Sequence, residues 1–396
     1  MNSATLSNPA LNFRIEIKFF LFLLPLFFTF DLIYYFSFYV LFVFVIFFID
    51  KLNTGFRDFY VYSFIFWLLL LTYGLYKVTD SIVKSEAFYY YYITILIPFL
   101  IFLIFTNSNL KMKFLDKFFN LLFISGIILA FYSFYILSTI NFDFRYRIPS
   151  FWNHYNLVAA YFMVLLLFNL SFLVNTKFSK RSFLYIVSLV IIMLGLIMTQ
   201  TRGIWLATLI AILFYILKRP KLFVPVLIVV LAITALFYDI IVDRFFSVVN
   251  FGSDISSIGR LQAWIASVIL IKDNLIWGYG FDAFRYFRDN VFSVYFVILP
   301  HPHNTYLTLM LDLGLFGFVI YISFFIKAFY YAIKLRKTSK DSSVNKYLDG
   351  IQLSFVAFLV AFMFEPYFTI LGAITFVLWV LISLSFYLYY NHNNLA

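Results

Sequence analysis

Runs of roughly twenty apolar residues follow one another along almost the whole chain, parted by short polar turns. That succession constrains the fold more than any other feature. In hydrocarbon, backbone N–H and C=O groups must be satisfied within the protein, so apolar runs of this length become packed helices. Charged residues make up 12% of the chain and mean hydropathy is +0.96, whereas a soluble domain carries about 25% charged residues. The expected fold is all-α: residues 1–396 form one integral, polytopic membrane domain with about 12 transmembrane helices. The spans fall near 17–30, 33–49, 59–76, 87–105, 118–140, 155–174, 182–199, 203–217, 222–241, 305–333, 348–364 and 367–390. The first has no small-residue cleavage site and runs at once into the second, so it reads as a retained anchor.

The basic residues give an orientation. With the N-terminus inside, 19 of the 29 Lys and Arg face the cytoplasm with 6 of the 18 Asp and Glu; the other side keeps 10 basic and 12 acidic residues. This is the positive-inside distribution, and it places both termini in the cytoplasm. The net charge of +11 therefore sits beside anionic lipid head groups, and nucleic acid is not needed as a partner. The absence of cysteine excludes disulfides, thiol nucleophiles and thiolate metal sites.

One connection is long. Residues 243–300 form an expected external loop between transmembrane helices 9 and 10. Within it, Arg260–Lys272 has helical propensity and reads as an interfacial helix with Trp264 at head-group depth. A Trp277-Gly278-Tyr279-Gly280 turn follows, then a short amphipathic stretch over 281–290 carrying Arg285 and Arg288. Long structured loops are where function concentrates.

Polar residues on the same side supply the candidates. Arg202 lies in the turn Thr199-Gln200-Thr201-Arg202-Gly203, where it either snorkels to the interface or offers a guanidinium fork to a phosphate. Arg260 opens the interfacial helix, where it either binds lipid head groups or joins a helix N-terminus in holding an anion. Arg145 and Arg147 precede Phe151-Trp152-Asn153-His154-Tyr155-Asn156, and Asn156 either caps a helix or bonds sugar hydroxyls. His301 and His303 lie in His301-Pro302-His303-Asn304-Thr305-Tyr306. Their i,i+2 spacing across a proline makes a poor helical chelate, and no other metal motif accompanies them. A general base is the better use of an imidazole here, against a role in capping the next helix.

These segments resemble the O-antigen ligase and O-antigen polymerase superfamily of bacterial envelope glycosyltransferases. The resemblance rests on residues 151–159, Gln200-Thr201-Arg202-Gly203, Gly259-Arg260 with Trp264, Gly278-Tyr279-Gly280, and His303-Asn304 followed by Gly314 and Gly317. It covers roughly residues 145–320. His154-Tyr155 departs from the smaller, proline-bearing turn expected there. The resemblance implies a GT-C-like membrane enzyme without a cofactor or metal. It would invert the anomeric centre while moving a glycan from undecaprenyl diphosphate to a sugar hydroxyl of lipid A–core. His303 is the implied base, and Arg202 and Arg260 receive the diphosphate. Weaker contacts to glycan or acceptor fall on His301, Asn304, Arg145, Arg147, Asn156, Arg285, Arg288 and Glu365. A polymerase using the same donor is the alternative, with a growing glycan as acceptor. A lipid-linked glycan flippase ranks third, because charges cluster at span ends and no internal repeat is present.

Overall fold

A computed structural model describes residues 39–45, 48, 61–82, 84–108, 110–143, 146–152, 154–249, 255–292, 299–369 and 373–391. Among them there is no strand. After a short helical stretch at 39–45, the helices are α1 (Val61–Asp80), α2 (Lys84–Tyr91), α3 (Ile97–Asn107), α4 (Met112–Thr139) and α5 (Tyr155–Asn175). Then come α6 (Lys180–Met198), α7 (Arg202–Lys218), α8 (Phe223–Leu236), α9 (Tyr238–Val249) and α10 (Ile255–Asp273). The last four are α11 (Ala283–Asn290), α12 (Thr305–Thr338), α13 (Ser342–Ala361) and α14 (Ala373–Asn391). A π-turn over Tyr92–Leu96 joins α2 to α3 without interrupting the helix, and Pro98 follows it in the first turn of α3.

The centre of the bundle is α5, α13 and α14, which are buried on nearly every face. α13 packs against α5 and α7, and α14 packs against α3 and α12. Close approach is secured by small residues: a methyl group at Gly350 of α13 would sit 2.6 Å from the ring of Phe168 in α5. Trp67 of α1 joins three layers, with ring centroids 4.5 Å from Phe324 and 5.1 Å from Trp379.

Seven of the described helical segments are long and apolar enough to cross a membrane, and a bent pair makes up to eight. The all-helical, multi-pass architecture stands; the finer count of about twelve does not follow from these segments. α7, at 17 residues, is short for a span, and the first expected span lies outside the described residues.

Three elements differ from expectation. The span expected over 222–241 is broken: the pair around α8 and α9 bends by 90° at Phe237. α8 buries none of its residues, whereas α9 carries Asp239, Asp243 and Arg244 and has a polar face. The interfacial helix begins at Ile255, five residues earlier than read, and at 19 residues it is itself long and apolar enough to span. Arg260 is thus in its second turn and not at its opening.

The third difference shapes the site. α12 is broken at Gly314, whose φ of 62° and ψ of −175° are open only to glycine. In an unbroken helix Leu315 and Phe316 would donate to the carbonyls of Leu311 and Asp312. Here the turn after α10 is inserted between the two halves. Tyr279 and Gly280 donate to Leu311 O and Asp312 O at 2.7 and 3.0 Å, while Leu315 and Phe316 donate to Leu275 O and Ile276 O at 2.8 and 3.3 Å. Tyr73 of α1 pins the junction by donating its hydroxyl to Trp277 O and Leu313 O. Buried Lys77 adds a bond to Gly278 O at 3.0 Å. The glycines of the Trp277–Gly280 turn serve this contact: a Cβ at Gly278 would lie 2.4 Å from Gly314 N. The half of α12 that begins at His303's end is a short helix, and the residues after Gly314 are long enough to cross by themselves.

Candidate active site

Four connections meet at one end of the bundle: the segment before α5, the turn between α6 and α7, the segment before α12, and the turn after α13. His303 has a φ of +48°. That left-handed backbone turns the chain so that the His301 and His303 rings lie 3.9 Å apart. His303 N donates to His301 Nδ1 at 3.3 Å, and Trp264 of α10 donates to Pro302 O at 2.9 Å. Asn304 caps α12, its Oδ1 accepting from the backbone N–H groups of Tyr306 and Leu307 at 2.9 and 3.1 Å. That oxygen, expected among weak sugar contacts, is occupied by the cap.

The turn after α13 is tied to this segment by backbone. Thr305 N donates to Phe362 O at 2.7 Å and Thr305 Oγ1 donates to Glu365 O at 2.6 Å. Tyr367 N donates back to Thr305 Oγ1 at 3.0 Å. Glu365 is thereby held buried, 1% exposed, with His303 Nδ1 at 2.9 Å from its Oε1. Asn156, in the first turn of α5, donates to the same oxygen. Burial alone raises a carboxyl's pKa, but the bond and charge of His303, with His301 and His154 behind it, outweigh that and hold Glu365 down at about 2. As a carboxylate it accepts Nδ1–H and leaves Nε2 as the basic nitrogen of His303. Its second oxygen, Oε2, is buried with no hydrogen-bond partner among the described residues.

Asn156 passes the network on to the cations. Its Oδ1 accepts from Arg147 Nη2 at 3.1 Å and from Thr201 Oγ1 at 3.4 Å. Arg147 also donates to Thr199 O at 3.2 Å and to Thr201 Oγ1 at 3.1 Å, and its guanidinium lies 3.4 Å over the Tyr155 ring. Gln200, itself at φ +49°, ties the turn to Tyr146 O and accepts from Arg244 Nε at 2.9 Å. Burial lowers the Arg147 pKa, Tyr155 opposes it, and the charges of Arg244, Arg260 and Arg202 lower it further, to about 10. It remains a cation at neutral pH, repelled by its neighbours. A cluster of like charge around one cavity is an arrangement that an anion relieves.

That cavity is lined by Arg147, Arg202, Arg260, Asn156, Glu365 and Tyr367, with Gly203, Ser256 and Phe364 among the other walls. Arg202 is the first residue of α7, so the positive end of that helix faces the same cavity. Gly203 permits the approach, since a Cβ there would sit 2.6 Å from the ring of Phe364. Arg260 Nε is buried without a hydrogen-bond partner among the described residues. Ser256, in the first turn of α10, brings that helix start to the cavity as well.

Of the residues singled out from sequence, Arg202, Arg260, Arg147, Asn156 and Glu365 line the cavity, and His303 and His301 adjoin it through Glu365. Arg145 lies outside the described residues. Arg285 and Arg288 do not line the cavity: Arg285 pairs with Asp282 and Glu86 at 3.2 and 3.4 Å, and Arg288 with Asp289 at 2.6 Å. Sequence reasoning undervalued His154, whose buried Nδ1 has no hydrogen-bond partner among the described residues and whose pKa burial pushes down, with Glu365 opposing and His303 and Arg147 adding to the fall. It gave Thr201 no role beyond its place in the Gln200–Gly203 motif and passed over Tyr367. The objection to a histidine chelate from i,i+2 spacing also loses its force. Ligand atoms of His301, His303 and Glu365 lie within 4.8 Å of one another, because the left-handed residue folds the pair together.

A comparison with curated proteins returns no match. Arg202, Arg260, the Trp277–Gly280 turn and His303 through Gly317 all fall in a stretch that a family model covers, while Arg147, Asn156 and Glu365 join the site from outside it. Residues 186–322 match the family model described as O-antigen ligase, the superfamily that the motifs of this multi-pass membrane protein resemble.

Proposed function

We propose that the protein is an O-antigen ligase-type glycosyltransferase acting at the periplasmic face of a bacterial inner membrane. It moves a glycan from undecaprenyl diphosphate to a sugar hydroxyl of lipid A–core. The observation that carries this reading is the bond from His303 to buried Glu365 on the wall of a cavity that also holds Arg147, Arg202 and Arg260. Nε2 of His303 takes the acceptor's proton as the new C1–O bond forms on the face opposite the leaving group. The bond from C1 to the diphosphate breaks, and the departing lipid diphosphate gathers negative charge. Fixed guanidinium groups in a water-poor site stabilise that charge without reorganising. Glu365 is a positioning residue that fixes the imidazole's tautomer and supports the charge it acquires, as a carboxylate does for histidine in hydrolytic triads. In this reading Arg147 belongs with the diphosphate contacts and not with the weaker glycan contacts. Among the other cations of the outer face, Arg285 and Arg288, with their acidic partners, are structural.

The experiment is transfer by the purified chain from a lipid-linked glycan, with lipid A–core present or absent. Product on lipid A–core is expected. Elongation of the lipid-linked glycan in its place would make the protein a polymerase. His303→Ala should lower the rate by about 10²–10⁴-fold, and Glu365→Gln by a comparable factor, with both variants still inserted in the membrane. Activity is expected to persist in a chelator. Loss restored by a divalent cation would turn His301, His303 and Glu365 into metal ligands and remove the base.

A further inference from the structure

The opposite end of the bundle holds a second charged cavity. α7 runs from Arg202 to Lys218 and α12 from beside His303 to Thr338, so their far ends lie away from the site just described. There, with the start of α13, they enclose a cavity of about 350 Å³, within the roughly 300–1,000 Å³ usual for small-ligand pockets. Lys218, Arg219, Arg336 and Lys337 line it, against a single carboxylate, Asp349.

The cations are not simply fanned into solvent. Asp349 is buried, and both its oxygens are taken. Oδ1 accepts from Arg336 Nε at 2.6 Å; Oδ2 accepts from Arg219 Nη2 at 2.6 Å, Asn175 Nδ2 at 3.0 Å and Tyr215 OH at 3.1 Å. One carboxylate thus fixes two guanidinium groups whose side chains stay 28% and 29% exposed. Buried Gln352 does the same for a lysine: its Oε1 accepts from Lys218 Nζ at 2.7 Å while its Nε2 donates to Ala332 O at 3.0 Å. Lys337 forms no ion pair among the described residues. Topological charges need no such buried scaffold, because an exposed lysine anywhere on that face would serve the positive-inside rule. Holding forks in place before a ligand arrives is what lowers the cost of binding one. Guanidinium forks beside two ammonium groups suit the several oxygens of a phosphate better than a lone carboxylate.

We propose that this cavity, between the ends of α7 and α12 and the start of α13, binds a phosphate-bearing anion. The same chemistry is offered by the head group of an anionic phospholipid or by a soluble phosphate, and the experiment separates them. The full chain is placed in nanodiscs of phosphatidylcholine, of phosphatidylcholine with phosphatidylglycerol, or of phosphatidylcholine with added inorganic phosphate, and its Tm is read in each. A rise of a few degrees is expected in one of the last two conditions. A rise with phosphatidylglycerol alone assigns the lipid head group; a rise with inorganic phosphate assigns a soluble anion. Lys218→Gln with Lys337→Gln removes two exposed charges and should abolish most of that rise. Lys111→Gln with Lys113→Gln, exposed at the start of α4, should keep it. Arg336→Lys, which keeps charge but not the fork, should also reduce it. No rise in either condition, or a rise equally unaffected or equally lost in the two paired variants, overturns the proposal.

Discussion

At the residue scale, the site depends on what each side chain's neighbours leave available. Arg202 shows why geometry outranks charge. It lines the cavity from the first position of α7, where a planar fork can reach two phosphate oxygens and an ammonium cannot. Arg202→Lys should therefore cut transfer by about tenfold or more although the charge is kept, since one charge-assisted hydrogen bond is worth roughly 1.5–3 kcal/mol. Wild-type kinetics in that variant would rule out a bidentate contact. His301 makes a prediction about acid. Burial, then the charge of His303, pulls it from 6.5 to about 3, so between those values the unfolded chain binds a proton that the folded one does not. Stability must then fall as pH drops below about 6.5, by up to about 1.4 kcal/mol per unit from this group. His154, also pushed down by burial, adds to the same window. Glu365 acts lower. Its depressed pKa contributes stability above about 4.5 that is lost as pH falls through about 2. Thermal unfolding at pH 7.5, 6 and 5 should show a shallower acid loss in His301→Asn than in the wild type; identical slopes would mean His301 is not buried as a neutral imidazole.

At the element scale, the break in α12 is the feature that sets where His303 stands. The half-helix before Gly314 is joined to the rest of α12 not by a continuous ladder but by the inserted segment 275–280, which takes over the four backbone groups freed at the break. Gly314→Ala would place a methyl 2.2 Å from Ile276 O on a backbone reserved for glycine. It should cost at least about 2–3 kcal/mol and lower the yield of folded protein. Size-exclusion behaviour and Tm in detergent measure this; an unchanged Tm would show that the break is dispensable. The pattern His303, Asn304, Gly314, Gly317 has a physical content here. The first two residues build the turn and the cap of the half-helix, and Gly314 ends it against the turn that carries α10.

At the scale of the whole molecule, cationic pockets of different construction occupy opposite ends of one bundle. Because the chain has no cysteine, single replacements report on sidedness directly. Asn290→Cys, on exposed α11, should react with an impermeant maleimide in intact spheroplasts, whereas Lys337→Cys should react only after permeabilisation. The reverse pattern would move His303 to the cytoplasm and end the periplasmic reading. Apolar runs and the turns between them were enough to read a helical, membrane-embedded chain and to place most helix ends within a few residues, because hydrocarbon leaves the backbone few choices. The sequence also marked Arg202, Arg260 and His303, whose polarity stands out against apolar surroundings. Only the tertiary structure decided that Glu365, 62 residues beyond His303, becomes its partner, that Arg147 and Asn156 close the same cavity, and that α12 breaks. These outcomes arise between elements: which buried oxygen meets which donor depends on how four loops converge, and that is a property of packing which no local pattern encodes.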